Sequence, residues 1–191
     1  MSLSTESDRA DTLVARANAI VRAADTSEKV RLAYDTAKAW FSRRLALGSP
    51  SLSGPMLDRP GRPEHPILLA PRDMPKRALG GETGRIALLH SLAHIELNAV
   101  DLTWDLIGRF ADTRLPRSYY DDWVRVGLEE AKHFSMLEDR LAELGSFYGA
   151  LPAHDGLWQA AQETGRDLAA RLAIIPLVLE ARGLDITPPM I

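Results

Sequence analysis

The chain has 191 residues, of which 46% are hydrophobic and 26% charged, and its formal net charge is −3. These values are typical of one globular domain with its own core, and they exclude a disordered chain and a general attraction to polyanions. The sequence has no cysteine, which excludes disulfides, thiolate metal sites and cysteine nucleophiles together.

Two helices are predicted in an N-terminal helical region over residues 1–48. Apolar residues recur at spacings of three and four over residues 8–24, which predicts a helix that ends near Asp25. Asp25 and Glu28 have the spacing of a capping pair, so a second helix is expected to begin there and to run through VRLAYDTAKAWF. The polar, acidic N-terminus does not have the pattern of a signal peptide, and no apolar run approaches the roughly 20 residues that span a bilayer. We therefore expect a cytoplasmic protein with no membrane partner.

A connecting segment over residues 49–81 has a different composition. Proline and glycine are too frequent there for a continuous helix. Because the segment also contains the apolar run ILLA, we expect it to be ordered but irregular and to cross the helices. A disordered linker is the alternative.

Three long helices are predicted after this segment, at residues 83–110, 118–144 and 153–183, within a bundle region over residues 82–191. The joints between them are short and contain proline, so neighbouring helices are expected to be antiparallel. The predicted fold is therefore all-α, with three long bundle helices.

Each of these three helices has an apolar face that a carboxylate interrupts. Glu96 lies on the first face, Glu130 with His133 on the second, and Glu180 on the third. Three unpaired carboxylates in one small core would use up most of the roughly 5–15 kcal/mol that stabilises a domain. Each is therefore expected to be neutral, paired with a cation or bound to metal, unless its tip reaches water at the edge of the core.

A pair of divalent metal ions, iron or manganese, fits these residues best. Arginine and lysine are scarce on the same faces, which weakens the ion-pair alternative. Carboxylate oxygens can bridge two ions, and an imidazole nitrogen can fill a terminal position. In a helix, the spacing Glu-x-x-His places Glu130 and His133 on one face, as in di-iron and di-manganese bundle proteins. The sequence thus predicts four metal ligands, Glu96, Glu130, His133 and Glu180.

The remaining histidines are weaker candidates for metal ligands. His90 and His94 are four residues apart and could bind a metal, but their helix face also carries Asn98, Asp101 and Asp105. We expect this polar face to be solvated, although His94 could orient a ligand from behind. His65 and His154 are assigned to no site.

Several stretches resemble a bacterial ferritin-like family of uncharacterised function, domain of unknown function 455. They are HSLAHIELNAVDL, EEAKHFSMLEDRLAELG, LPAHDGLWQAAQ, RLAIIPLVLEARGLDITPPMI and the upstream RPGRPEHPILLAPRDMPKRALG. The resemblance runs from about residue 10 to the end of the chain. The wider superfamily includes ferritins, rubrerythrins and a non-haem iron hydroxylase that acts on a modified tRNA adenosine.

The resemblance implies a four-helix di-metal site with the ligands Glu, Glu-x-x-His, Glu and Glu-x-x-His. Glu96 matches the first Glu, Glu130 and His133 match the first pair, and Glu180 matches the second Glu. The chain contains no second pair before it stops at Ile191. Truncation, completion by a second copy across a twofold axis, and loss of the site could each explain this. We favour truncation, and we expect a homo-oligomer, most simply a dimer, to cover the apolar face of the third helix.

The leading hypothesis for function is a di-iron or di-manganese oxidoreductase that activates dioxygen or peroxide and acts on an unknown small molecule. No side chain is assigned to acid–base catalysis. Metal storage or detoxification, and a metal-free helical scaffold for interactions, are the alternatives. A tRNA substrate is not expected, because the basic residues around the connecting segment are nearly balanced by acidic ones.

Overall fold

The computed structural model describes residues 11–50, 57–75, 80–111 and 114–176. Within these ranges the chain forms six α-helices and one 3₁₀ turn and has no β-strand, which confirms the all-α prediction. The α-helices are α1 (Leu13–Arg22), α2 (Thr26–Phe41), α3 (Gly81–Arg109), α4 (Arg117–Glu143), α5 (Gly156–Glu163) and α6 (Leu168–Ile174). In the described part of the chain, none of them has both the length and the apolar character to cross a membrane.

Side-chain caps fix the starts of several helices. The Asp25 carboxylate accepts a hydrogen bond from the backbone N–H of Glu28 at 2.8 Å, which confirms the predicted start of α2. The Thr12 hydroxyl caps α1 in the same way through the Ala15 N–H. Each cap satisfies a backbone donor that has no partner within its own helix.

The prediction of one continuous helix over residues 153–183 was wrong. α5 ends at Glu163, and a turn over residues 164–166 separates it from α6. The Asp167 carboxylate accepts hydrogen bonds from the N–H groups of Ala169 and Ala170, so it caps a new helix. This local cap interrupts a run whose alanine and leucine content otherwise favours helix. Residues 177–183 lie outside the described ranges.

The first four helices share one core. α3 packs along α4, α1 packs against both α3 and α2, and α2 packs against α4. Buried tryptophans from α2, α3 and α5 lie in the same cluster (Trp40, Trp104 and Trp158). The two N-terminal helices are thus integral to the helical assembly that positions α3 and α4.

α3 and α4 are antiparallel, and at one point side chains of α3 lie against the backbone of α4. Trp104, late in α3, lies against Gly127, early in α4, whereas Glu96 lies nearer the start of α3 and close to His133 of α4. A Cβ atom at Gly127 would lie 2.9 Å from the Trp104 ring and 3.2 Å from Thr103 Cγ2. Because glycine has no Cβ, the two helices can approach here, one turn before Glu130.

The described part of the proline-rich segment is irregular, as predicted, and hydrogen bonds hold it against three helices. Gly61 N–H donates to the Val21 carbonyl at the end of α1 at 2.8 Å. The Leu57 carbonyl accepts from Arg109 of α3, and the Asp58 carbonyl accepts from Trp158 of α5. These bonds to backbone groups hold a segment that makes few hydrogen bonds of its own.

The face of α3 that carries His90, His94, Asn98, Asp101 and Asp105, here called the polar face, is fully buried. Its expected exposure to solvent was therefore wrong. The side chains that cover it come from distant segments. Lys29 of α2 pairs with Asp101, Arg62 donates to Asn98 Oδ1 at 2.6 Å, and Arg171 of α6 donates to Asp105 at 2.6 Å.

The pair of Lys29 and Asp101 lies where neither side chain is exposed. Burial lowers the pKa of Lys29 and raises that of Asp101, and the attraction between the two groups opposes both shifts. Lys29 also donates to the carbonyls of Ile20 and Val21 at the end of α1. One ammonium group therefore ties α1, α2 and α3 together.

Replacing Lys29 by methionine is expected to lower the free energy of unfolding by about 3–5 kcal/mol, because the buried Asp101 would lose its direct partner and keep only Arg62, at 3.9 Å. Urea denaturation followed by circular dichroism measures this change. The matched control is Lys38→Met on the exposed side of α2, which should cost less than about 0.5 kcal/mol. Equal losses in the two variants would contradict the assigned role of Lys29.

Candidate metal centre

Glu96, Glu130 and His133 meet between α3 and α4. His133 Nδ1 lies 3.4 Å from Glu96 Oε2 and 3.4 Å from Glu130 Oε2. One potential ligand atom from each residue lies within 4.8 Å of the others. The carboxylate side chains are 22% and 23% exposed and His133 is 52% exposed, so the cluster is partly buried and has one open side. The structure thus brings these three predicted residues together, and their role as metal ligands stays a prediction.

Helix geometry accounts for the arrangement. Glu130 and His133 are three residues apart on α4, so their side chains lie on one face about one turn apart. Glu96 reaches them from α3, which lies close to α4 because Gly127 permits the contact with Trp104. The cluster therefore depends on two helices and on the distance between them.

The carboxylates of Glu96 and Glu130 interact with each other. Burial raises the pKa of Glu130 to about 8, and hydrogen bonding to Glu96 and repulsion from its charge act in the same direction. His133 opposes this shift. At neutral pH the Glu130 carboxyl of the metal-free cluster therefore keeps its proton, because a negative charge there would be repelled by Glu96.

Protein cations do not offset this charge. Within the described ranges, no lysine or arginine lies within ion-pair distance of Glu96 or Glu130, although many other carboxylates of the chain are paired with one. Two carboxylates and an imidazole are a donor set that suits iron and manganese. The residues present thus fit the metal that the sequence pattern predicts.

Glu180, the fourth predicted ligand, lies outside the described residues. His90 and His94, which the sequence analysis placed in solvent, are buried on the polar face of α3. His94 Nε2 lies 2.9 Å from the His154 carbonyl and Nδ1 lies 2.8 Å from the Tyr148 hydroxyl. Burial lowers the pKa of His94 to about 4, so this imidazole is neutral and held by hydrogen bonds at both nitrogens.

Two of the basic residues near the connecting segment have internal partners. Arg59 pairs with Asp155 at 2.7 Å, and Arg62 is largely buried and bonded to Asn98. Lys76 and Arg77 lie outside the described residues. These two cations thus make contacts within the protein, and the expectation that tRNA is not the substrate stays a prediction.

Comparison with known proteins gives a family without an assigned activity. A protein family described as "Protein of unknown function (DUF455)" matches residues 22–191. An uncharacterized protein of Haemophilus influenzae (strain ATCC 51907 / DSM 11121 / KW20 / Rd) is 48% identical over 131 residues, which are 66% of this chain and 46% of that protein. The chain thus spans about half the length of this curated relative. No solved structure matches the chain.

Replacing Gly127 by alanine is expected to lower the free energy of unfolding by about 1–3 kcal/mol, because the new Cβ would overlap the buried Trp104 ring. This sign is opposite to helix propensity, which favours alanine over glycine by roughly 1 kcal/mol. Gly80→Ala serves as the control, since no heavy atom lies within 4 Å of its added Cβ. Thermal unfolding measures both variants, and a more stable Gly127→Ala protein would contradict the close approach of the helices.

In metal-free protein, Glu130→Gln is expected to raise the free energy of unfolding near pH 8.5 by roughly 1–3 kcal/mol. The folded-state pKa of about 8 lies above the ordinary value of 4.5, so between these values the folded wild type holds more protons than the unfolded chain. Its stability therefore falls as the pH rises through this window, whereas a neutral glutamine gives no such slope.

Urea denaturation in the presence of a chelator, repeated at several pH values, measures the slope. Glu129→Gln is the matched control, because Glu129 is exposed and adjacent in sequence. The control should keep the wild-type slope. If the wild type and Glu130→Gln showed the same change in free energy of unfolding with pH above pH 6, the raised pKa of Glu130 would be contradicted.

Proposed function

Because this chain belongs to the DUF455 family, whose function is unknown, we propose a function from the chain's own residues. The protein is a di-metal carboxylate protein of ferritin-like type that binds iron or manganese. It is an oxidoreductase that activates dioxygen or peroxide. The observation that carries the proposal is the cluster of Glu96, Glu130 and His133, whose ligand atoms lie within 4.8 Å of one another.

The electrostatics of the cluster support a bound cation. Glu96 and Glu130 face each other without a lysine or arginine partner in the described ranges, and the pKa of Glu130 is raised to about 8. A divalent cation would remove the repulsion between the carboxylates and displace the proton that they otherwise hold. A cluster with only a structural role would be more stable with an arginine or an apolar residue in place of one carboxylate.

The kind of donor supports iron or manganese in particular. Carboxylate oxygens are hard ligands, and Glu96 and Glu130 together offer four of them, while His133 offers one nitrogen. Bound there, either metal would supply one-electron chemistry with dioxygen or peroxide. The protein side chains would hold the metal and exclude bulk water from its buried side. Glu180 is proposed as a further ligand from the sequence pattern alone.

The proposed partners follow from the same reasoning. A small-molecule substrate and a homo-oligomer, most simply a dimer, stay predictions. An apolar strip on α3 that includes Leu88, Leu92 and Ile95 is exposed next to Glu96 and supports self-association.

Metal binding tests the proposal directly. Wild-type protein, reconstituted with Fe²⁺ under anaerobic conditions and desalted, is expected to retain iron, whereas Glu96→Gln, Glu130→Gln and His133→Ala should each weaken binding by at least about ten-fold. Elemental analysis and calorimetric titration measure this, and Glu129→Gln is the control for a nearby change of charge. The reduced, iron-loaded wild type should also consume dioxygen.

The alternatives predict other outcomes. Uptake of many more than two ions per chain would favour storage. Failure of the wild type to retain iron or manganese would overturn the proposal and favour the alternative function of a metal-free scaffold.

A further inference from the structure

A cavity of about 190 Å³ lies between α3, α4 and the end of α6, and Glu130 forms part of its wall. Among the residues that the structure describes, seven apolar ones supply most of the remaining wall. They are Ala99, Leu102, Leu106, Trp123, Val126, Ile175 and Pro176. The cavity therefore joins an apolar space to the carboxylate cluster.

Besides Glu130, the polar residues of the described chain that line this cavity are Thr103 and Arg171. All three guanidinium nitrogens of Arg171 donate to protein acceptors, namely Asp105 Oδ2 at 2.6 Å, the Ala161 carbonyl at 2.6 Å and Thr164 Oγ1 at 3.0 Å. With its nitrogens committed to these acceptors, Arg171 is poorly placed to bind an anion in the cavity. An anion would therefore lose its hydration and gain no free opposite charge there. A cation would meet the Glu130 carboxylate, which is already assigned to the proposed metal.

The volume limits the size of a ligand. An engineered protein cavity of roughly 150 Å³ with apolar walls stays dry and binds benzene. A cavity somewhat larger than this accommodates about six to nine non-hydrogen atoms. An aromatic ring with a short substituent, or a branched hydrocarbon chain, has this size.

We propose that this cavity binds a small, uncharged, largely apolar molecule, with one end of the molecule next to Glu130. As a statement about substrate class, this rests on the proposed function, because Glu130 is a proposed metal ligand. As a statement about binding, it rests only on the size, the lining and the position of the cavity.

Toluene, added to the full chain without metal, is the probe. Calorimetric titration is expected to give saturable one-to-one binding, with quenching or a shift of tryptophan fluorescence because Trp123 lines the cavity. Benzoate has the same ring but a negative charge and should bind at least about ten-fold more weakly.

Ala99→Leu places three additional carbon atoms in the cavity and is expected to weaken toluene binding by at least about ten-fold. The matched control is Ala142→Leu on the exposed side of α4, which should bind toluene as the wild type does. Val126→Phe fills the cavity from the opposite helix and replaces Ala99→Leu if that variant does not fold.

The outcomes separate this inference from the proposed function. Absence of saturable toluene binding, equal binding of benzoate, or unchanged binding in both cavity-filling variants would overturn the cavity proposal even if the protein retains iron. Toluene binding by a protein that retains no metal would support the binding site and overturn its role in supplying a substrate to the metal. When Co²⁺ is bound, a change in its visible absorption on addition of toluene would support that role.

Discussion

Two carboxylates from facing helices lie within reach of the same imidazole, and their mutual repulsion is the constraint on which the site depends. Glu96 and Glu130 both approach His133 Nδ1 to 3.4 Å, on a side of the bundle where the described residues provide no basic partner. Proteins usually offset such a pair with a proton, an arginine or a metal ion. The raised pKa of Glu130 indicates that a proton offsets this repulsion in the metal-free protein, and the metal ion proposed above would replace that proton.

The close approach of α3 and α4 sets the strength of this repulsion. Gly127 lets the Trp104 ring pack against the backbone of α4, and Glu130 follows one turn later. The apolar cavity begins on the same helix faces, where the small side chains of Ala99 and Val126 line it. Small residues thus bring the carboxylates of Glu96 and Glu130 together at one level of the bundle and leave the apolar cavity at the next.

Much of this could be predicted from sequence, because the signals were local. The 3.6-residue periodicity located α3 and α4 to within about two residues, and a charge in the middle of an apolar face singled out Glu96, Glu130 and His133. The polar face of α3 was misjudged because its partners, Lys29, Arg62 and Arg171, come from three distant segments. Periodicity shows that a face is polar but cannot show what covers it. Likewise, it could not show that α1 and α2 share the core of the later helices.

The break between α5 and α6 was missed for another reason. Alanine and leucine favour helix on both sides of it, so the summed propensity hides a single capping residue, Asp167, whose hydrogen bonds decide where the helix restarts. A search for capping patterns within predicted helices, and not only at their ends, would have found it.

The buried polar face of α3 has a consequence for the opposite side of the same helix. Asp101 and Asp105 are paired with Lys29 and Arg171, and Asn98 with Arg62. A rotation of α3 by one residue, about 100°, would separate all of these pairs in the protein interior. The rotational setting of α3 is therefore fixed by contacts that do not involve the carboxylate cluster. Charges on the far side of the helix thus hold Glu96 in its orientation and preorganise the proposed metal site.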